Sequence, residues 1–277
     1  MSDINFYKPT TIKEAVDLLQ NQNYLAIAGG TDLVVKIRNG LFPGIRALVD
    51  LGALPLKTIK QENGKLIIGS GCTMSQIISD PLVKEYFPVL TKAASTVGAV
   101  QIRNAATIGG NIANASPAGD TIPALYSLEA VVIITGGQGQ RQVPIDKFFT
   151  GPGKSVLRTG EIIEAFSLPL RKTSGSFLKL GERRAHAISK INMAVSTWND
   201  GKNHFRVAMG SVAPTVLRCE KAEAVLEGAG LPLTEEILEQ AAEIAMSTAS
   251  PISDIRSTGS YRKRMAGVLA KRALKAL

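Results

Sequence analysis

The chain has 277 residues, 45% hydrophobic and 20% charged, with a net charge of +9. That is the composition of a folded globular protein with a sizeable core, and it excludes a disordered chain. With only two cysteines and two histidines, a Cys-ligated zinc or iron–sulfur site built from this chain alone is excluded, and neither His186 nor His204 sits in a triad or metal motif.

The N-terminus, "MSDINFYKPT", has no basic stretch followed by an apolar run, and no apolar run approaches the ~20 residues of a membrane span. The expectation is a cytoplasmic protein with no membrane partner. "TIKEAVDLLQN" predicts the first helix: Thr11 and Glu14 form a capping box, and Ile12, Ala15, Val16 and Leu19 share a face. A strand from Tyr24 to Ala28 ends at Gly29-Gly30, and Thr31 is placed to cap a short helix, Asp32 to Asn39, stopped by Gly40. "ALVDL" and "KLIIGSG" read as strands. Thr73 with Gln76 is a second capping box, opening a helix that Pro81 interrupts, and a longer helix follows through "LVKEYFPVLTKAASTV". "TIGGNIANASPAGD" (107–120) then sets a second Gly-Gly in a strand-like apolar run. Strands dominate from "EAVVIIT" through the 136–139 turn, "RQVPI" and "EIIEAFSLP".

Beyond "LPLRKTSGS" (168–176) the texture changes. "FLKLGE", "INMAVSTW" and "HFRVAMGSVA" predict three strands, the last two joined at Asn199-Asp200-Gly201, and three helices follow around 219–226, 234–247 and 261–276. The fold class is α+β, with one domain over 1–170, divided at about residue 55, and a second over 171–277. The basic residues of the last helix interleave with Met265, Val268, Leu269, Ala273 and Leu274 at helical spacing, which is a packed amphipathic helix with a solvated face. Aromatics are 5% of the chain and none interleaves with these bases, so no nucleic-acid partner is expected.

The glycine-rich segments fail the familiar nucleotide tests. "GGTDLV" is not GxGxxG, "GSGCTM" has Met74 where the third glycine belongs, and Gly153-Lys154-Ser155 would need a glycine where Phe148 stands. What remains is a pair of similar segments, "LAIAGGTDLVVK" and "TIGGNIANASPAGD". Two such Gly-Gly steps can aim N–H groups into one concavity that holds anionic oxygens, with Thr31 and Thr107 adding hydroxyls and Asn111, Asn114 and Asp120 adding short polar groups. They can equally be two ordinary turns with Thr and Asn caps. Spacing alone leaves both open.

"AIAGGTDLVVKIRNG" and "GAVQIRNAATIGGNIANASPAGD" closely resemble the two FAD-binding segments of the flavoprotein subunit of molybdenum hydroxylases, a group that includes xanthine dehydrogenase, nicotinate dehydrogenase and the aerobic carbon monoxide dehydrogenases. "FFTGPGKSVLRTGEII", "FLKLGERRAHAISKINMAV" and "GSVAPTVLRCEKAE" extend the resemblance over the whole chain, in order. It implies a two-subdomain FAD-binding fold of the vanillyl-alcohol-oxidase type, then a domain of three antiparallel strands and a three-helix bundle. It implies that Leu25, Ala26, Ile27, Ala28, Gly29, Gly30, Thr31, Asp32 and Leu33, with Ala106, Thr107, Ile108, Gly109, Gly110 and Asn111, surround the FAD pyrophosphate. Asn114 and Asp120 match positions towards the nucleotide end, Ile162 or Ile163 an apolar contact, Lys179 a lysine near the isoalloxazine, and Ile188 a residue against one flavin face. Arg183 and Arg184 read as a solvated basic pair rather than an NAD phosphate clamp. Many relatives carry an acidic residue just before the isoleucine, where this chain has His186-Ala187-Ile188, so NAD specificity does not transfer. No catalytic residue and no metal are expected here. The implied function is an FAD-carrying electron-transfer subunit of a xanthine dehydrogenase-like complex with a role in purine metabolism, with molybdopterin and 2Fe-2S on partner subunits and NAD or another acceptor as the outlet. A free-standing flavin oxidoreductase and a basic nucleic-acid-binding module are the competing readings.

Overall fold

A computed structural model describes residues 4–183 and 186–277. Three strands, β1 (Asn5–Tyr7), β2 (Tyr24–Ile27) and β3 (Ala47–Asp50), form a parallel sheet in the order β1-β3-β2. Two helices accompany it, α1 (Ile12–Leu19) and α2 (Leu33–Arg38). The capping box on α1 is shifted by one residue: Thr11 accepts from the Glu14 amide, but the Glu14 carboxylate accepts from Thr10. α1 buries Ala15, Val16 and Leu19 against Val49, Leu54 and Leu56 in a small core that also takes in Ile162.

The second subdomain is a five-stranded antiparallel sheet, ordered β4-β5-β10-β6-β7. β4 is Ile59–Glu62 and β5 is Lys65–Gly69. Six short helices come next: α3 (Met74–Ser79), α4 (Pro81–Tyr86), α5 (Pro88–Ser95), α6 (Val100–Ala105), α7 (Ile108–Ala113) and α8 (Thr121–Ser127). The expected long helix is in fact α4 and α5, because the Pro88 ring and its missing N–H end α4 at the preceding turn, and Pro88 then opens α5. The full capping box predicted at Thr73 and Gln76 forms. β6 (Val131–Gly136) and β7 (Gly139–Pro144) make a hairpin, β8 (Phe149–Gly151) and β9 (Lys154–Ser155) a second small one, and β10 (Ile162–Pro169) returns to the sheet centre. A register shift between Ile163 and Ala165 lets β10 keep both Ile162 and Ile163 buried.

The last domain is a sheet of β11 (Ser174–Leu180), β12 (Ile191–Asn199), β13 (Asn203–Gly210) and the two-residue β14 (Leu217–Arg218), one strand more than expected. α9 (Glu220–Leu226), α10 (Glu235–Thr248) and α11 (Gly259–Lys275) cover one face, burying Ala241, Ala245, Ala266, Ala270 and Ala273 among strand residues such as Val195, Val207 and Met209. The other face joins the main core through Phe177, Ala194 and Ala208. A charged seam pins the two domains together. Glu129 takes Arg171 on one oxygen and Arg206, at 2.6 Å, on the other, and the Arg171 guanidinium lies 3.4 Å from the centre of the Trp198 ring. Burial pushes the Glu129 carboxyl up, but the two arginines outweigh it and hold the carboxyl below its ordinary range. Among the described residues no helix is long and apolar enough to cross a membrane.

Candidate functional site: a trough between the subdomains

The two Gly-Gly segments meet. A Cβ built on Gly29 would lie 1.9 Å from the Ala105 carbonyl oxygen, so only glycine lets β2's end rest on the backbone where α6 gives way to the 106–108 segment. That segment bridges to Thr73, with the Met74 amide donating to Ala106 O at 3.0 Å. Along this junction three cavities of about 420, 250 and 450 Å³ run into one another. The first and second share Gly29, Thr107 and Gly110, and the second and third share Asp32, Val97, Asn111 and Asn114. The result is one long trough.

Its middle is asymmetric. At the first Gly-Gly, Gly30 turns left-handed (φ +68°), and the amides of Gly30, Thr31 and Asp32 have no backbone acceptor among the described residues. Free amides on a cavity wall are what the anion-binding concavity considered for both segments in the sequence requires. Thr31 does not cap α2: Asp32 is the N-cap, with no side-chain capping bond. At the second Gly-Gly the amides are already used. Ile108 donates to Cys72 O, Gly109 to Ser70 O, Gly110 to Thr107 Oγ1 and Asn111 to Thr107 O, at 2.8–3.0 Å. This stretch is not strand-like but the capped first turn of α7, and Thr107 is its N-cap. Gly109 is there because a Cβ would meet Ser70 at 2.5 Å, whereas Gly110 is exposed to the trough. Asn111 is committed as well, accepting from Thr121 Oγ1 at 2.7 Å.

The ends differ in chemistry. One is apolar, walled by Leu51, Leu56, Leu157, Ile162 and Ile163, with Lys57 at its side. The other is a buried polar cluster. Asp120 pairs with Lys179 and accepts from Ser189 Oγ at 2.7 Å and Asn192 Nδ2 at 2.9 Å, while Lys179 also donates to Thr96 O at 3.1 Å. Ala187 and Ile188, the latter 54% exposed, lie at this end. Asp120 and Lys179 are therefore partners, and cannot serve opposite ends of one ligand as the resemblance implied. Leu25 and Ile108 do not line the trough; Ile108 is wholly buried in the core. Arg183 donates to His186 O at 2.9 Å, and Arg184 lies outside the described residues.

Sequence reasoning missed Lys36. One turn into α2, it lines the trough beside the free amides and bonds Asn114 Oδ1, setting a cation where an anion would lie. Its four-residue offset from Asp32, the N-cap of α2, was the available signal, since i and i+4 share a helix face. Ser189 and Asn192, which fix Asp120, carried no such signal. Among the described residues, no three His, Cys, Asp or Glu side chains gather as a metal site. A long trough with free amides and a lysine at mid-length, an apolar slot at one end and a donor–acceptor cluster at the other fits an extended dinucleotide.

The comparisons with known proteins agree. Residues 2–171 match the FAD binding domain in molybdopterin dehydrogenase, and residues 176–277 the CO dehydrogenase flavoprotein C-terminal domain. The xanthine dehydrogenase FAD-binding subunit of Escherichia coli O157:H7 is 33% identical, over 98% of this chain and 94% of that one. The nicotinate dehydrogenase FAD-subunit of Eubacterium barkeri is 34% identical over 98% and 95%. The solved carbon monoxide dehydrogenase of Hydrogenophaga pseudoflava superposes with a TM-score of 0.92 at 32% identity, covering 99% of this chain and 96% of its counterpart. The chain belongs to the FAD-binding subunit family of the molybdenum hydroxylases.

Proposed function

We propose that this chain carries the FAD of a xanthine dehydrogenase-like complex, receives electrons from a 2Fe-2S subunit, and passes them to NAD or another acceptor. The observation that carries this is the trough itself. The free amides of Gly30, Thr31 and Asp32, with Lys36, would hold the pyrophosphate. The Leu51, Leu56 and Ile162 slot would hold the adenine, and the Asp120–Lys179 cluster with Ile188 would hold the isoalloxazine. FAD, when bound, supplies the redox chemistry. The chain's own residues orient and surround it: Lys179, fixed by Asp120 and Thr96 O, presents a positive donor, while Ser189 and Asn192 hold the Asp120 carboxylate in place. No acid–base pair is needed, which accords with the scarcity of histidine. Relatives named for xanthine, nicotinate and carbon monoxide dehydrogenases are comparably similar, so the substrate belongs to the partner that hydroxylates it.

Purification of the complex through a tag on this chain tests the reading. The expected preparation contains FAD with molybdopterin and 2Fe-2S subunits, and a purine or other N-heterocycle bleaches the flavin absorbance. A preparation without flavin that takes up none from added FAD overturns it.

A further inference from the structure

We propose that the turn Asp254–Ser257, with Ile255 at its tip, is where the 2Fe-2S subunit seats on this chain. The inference rests on the reading of the Lys179 end of the trough as the isoalloxazine end.

Ile255 is 98% exposed and Ile252 71%, two large aliphatic side chains close together in water. The turn that displays them is built to hold its shape. Asp254 Oδ1 accepts from the amides of Arg256 and Ser257 at 2.9 and 3.2 Å, and the carboxylate pairs with Arg256 and with the buried guanidinium of Arg262. Asp254 and Ser257 also exchange backbone bonds at 3.1 and 3.2 Å. Gly259 closes the segment, donating to Ser253 Oγ and packing where a Cβ would meet the Pro251 carbonyl at 2.7 Å. An apolar side chain held out by a rigid turn adds nothing to the fold's own stability. It forgoes little freedom on meeting a partner, which is the property of an interface anchor.

Position selects the partner. Ile252, Asp254 and Arg256 line the same cavity as Asp120, Lys179 and Ile188, so a subunit seated on Ile255 abuts the isoalloxazine end. Of the two partner subunits, the one that delivers electrons is the one that must reach that end. The sequence around the knob is basic in balance: Arg256, Lys263 and Arg264 follow Ile255 within nine residues, and the one acidic group of the turn, Asp254, is already paired with Arg256 and Arg262, on a chain of net charge +9. This favours an acidic partner surface and opposes a second copy of the same chain.

The test compares the wild-type complex with Ile255→Glu, Ile255→Ala and Arg264→Glu, each co-expressed with the partners and captured through this chain. Subunit ratios, iron content and flavin absorbance are measured. Ile255→Glu should weaken retention of the 2Fe-2S subunit by at least about tenfold, and Ile255→Ala and Arg264→Glu by less. Unchanged 2Fe-2S occupancy in Ile255→Glu, loss of the molybdopterin subunit with the 2Fe-2S subunit kept, or a wild-type dimer of this chain that Ile255→Glu dissociates each overturns the proposal. Should Ile255→Glu fail to fold, undiminished 2Fe-2S occupancy in Arg264→Glu overturns it. A wild-type complex with flavin and an indifferent Ile255 sinks the docking site alone, whereas a wild type without flavin sinks the trough reading.

Discussion

Gly109 and Gly110 are neighbours in sequence with different duties. A methyl at Gly109 would be forced into Ser70, so Gly109→Ala should destabilise the fold by about 1–3 kcal/mol in denaturant unfolding. At Gly110 an added Cβ meets only Thr107 Oγ1, at 3.0 Å, and the position is exposed in a helix. Gly110→Ala should therefore leave the unfolding midpoint within about 1 kcal/mol of wild type, while a bulky Gly110→Phe should deplete FAD and spare the fold. Loss of the fold in the phenylalanine variant, or full FAD occupancy, would count against placing Gly110 on the trough. Lys36 is the other residue to test. Lys36→Ala should weaken FAD binding by about tenfold, a shift of about 1.4 kcal/mol, in fluorescence titration; an unchanged affinity would remove Lys36 from the site.

Elements explain what could be read from sequence and what could not. The hairpin of β6 and β7 and the last three helices stand where alternation, a glycine turn and helical periodicity put them, because each buries one face more than the other, while β10 and β12, buried on both faces, were legible as apolar runs bounded by turns. α8 has no such contrast: all seven of its residues are buried, so "TIPALYS" shows no period to read. α7 was hidden by its glycines, which argue for a turn, while the Thr107 cap that makes it a helix is a single hydroxyl. The site's residues were legible through resemblance, but their arrangement was not. No local pattern shows that Asp120 faces Lys179 across 59 positions, or that only one Gly-Gly keeps its amides free. The turn before α11 offers a pH test at this scale. The amide of Arg256 and the Arg262 guanidinium hold the Asp254 carboxyl down at about 2, against an ordinary value of 3.8. Since the folded value is the lower, this turn's stabilising contribution is complete above about pH 4 and is lost as pH falls towards 2. Asp254→Asn should flatten that part of the acid-unfolding curve, and a curve unchanged by the substitution would show that the turn contributes nothing.

For the whole molecule, the seam at Glu129 matters because it joins β6's approach, β10's exit and the last domain's sheet. Glu129→Gln leaves Arg171 and Arg206 without their carboxylate and should cost about 1–3 kcal/mol, and the emission of Trp198, the only tryptophan, should shift because Arg171 stacks on it. The contact of Gly29 with the Ala105 peptide has a larger reach. It brings the two walls of the trough into backbone contact at mid-length, so any side chain at residue 29 would wedge them apart. FAD that binds across this junction in the folded chain alone should raise the melting temperature with ligand concentration by mass action.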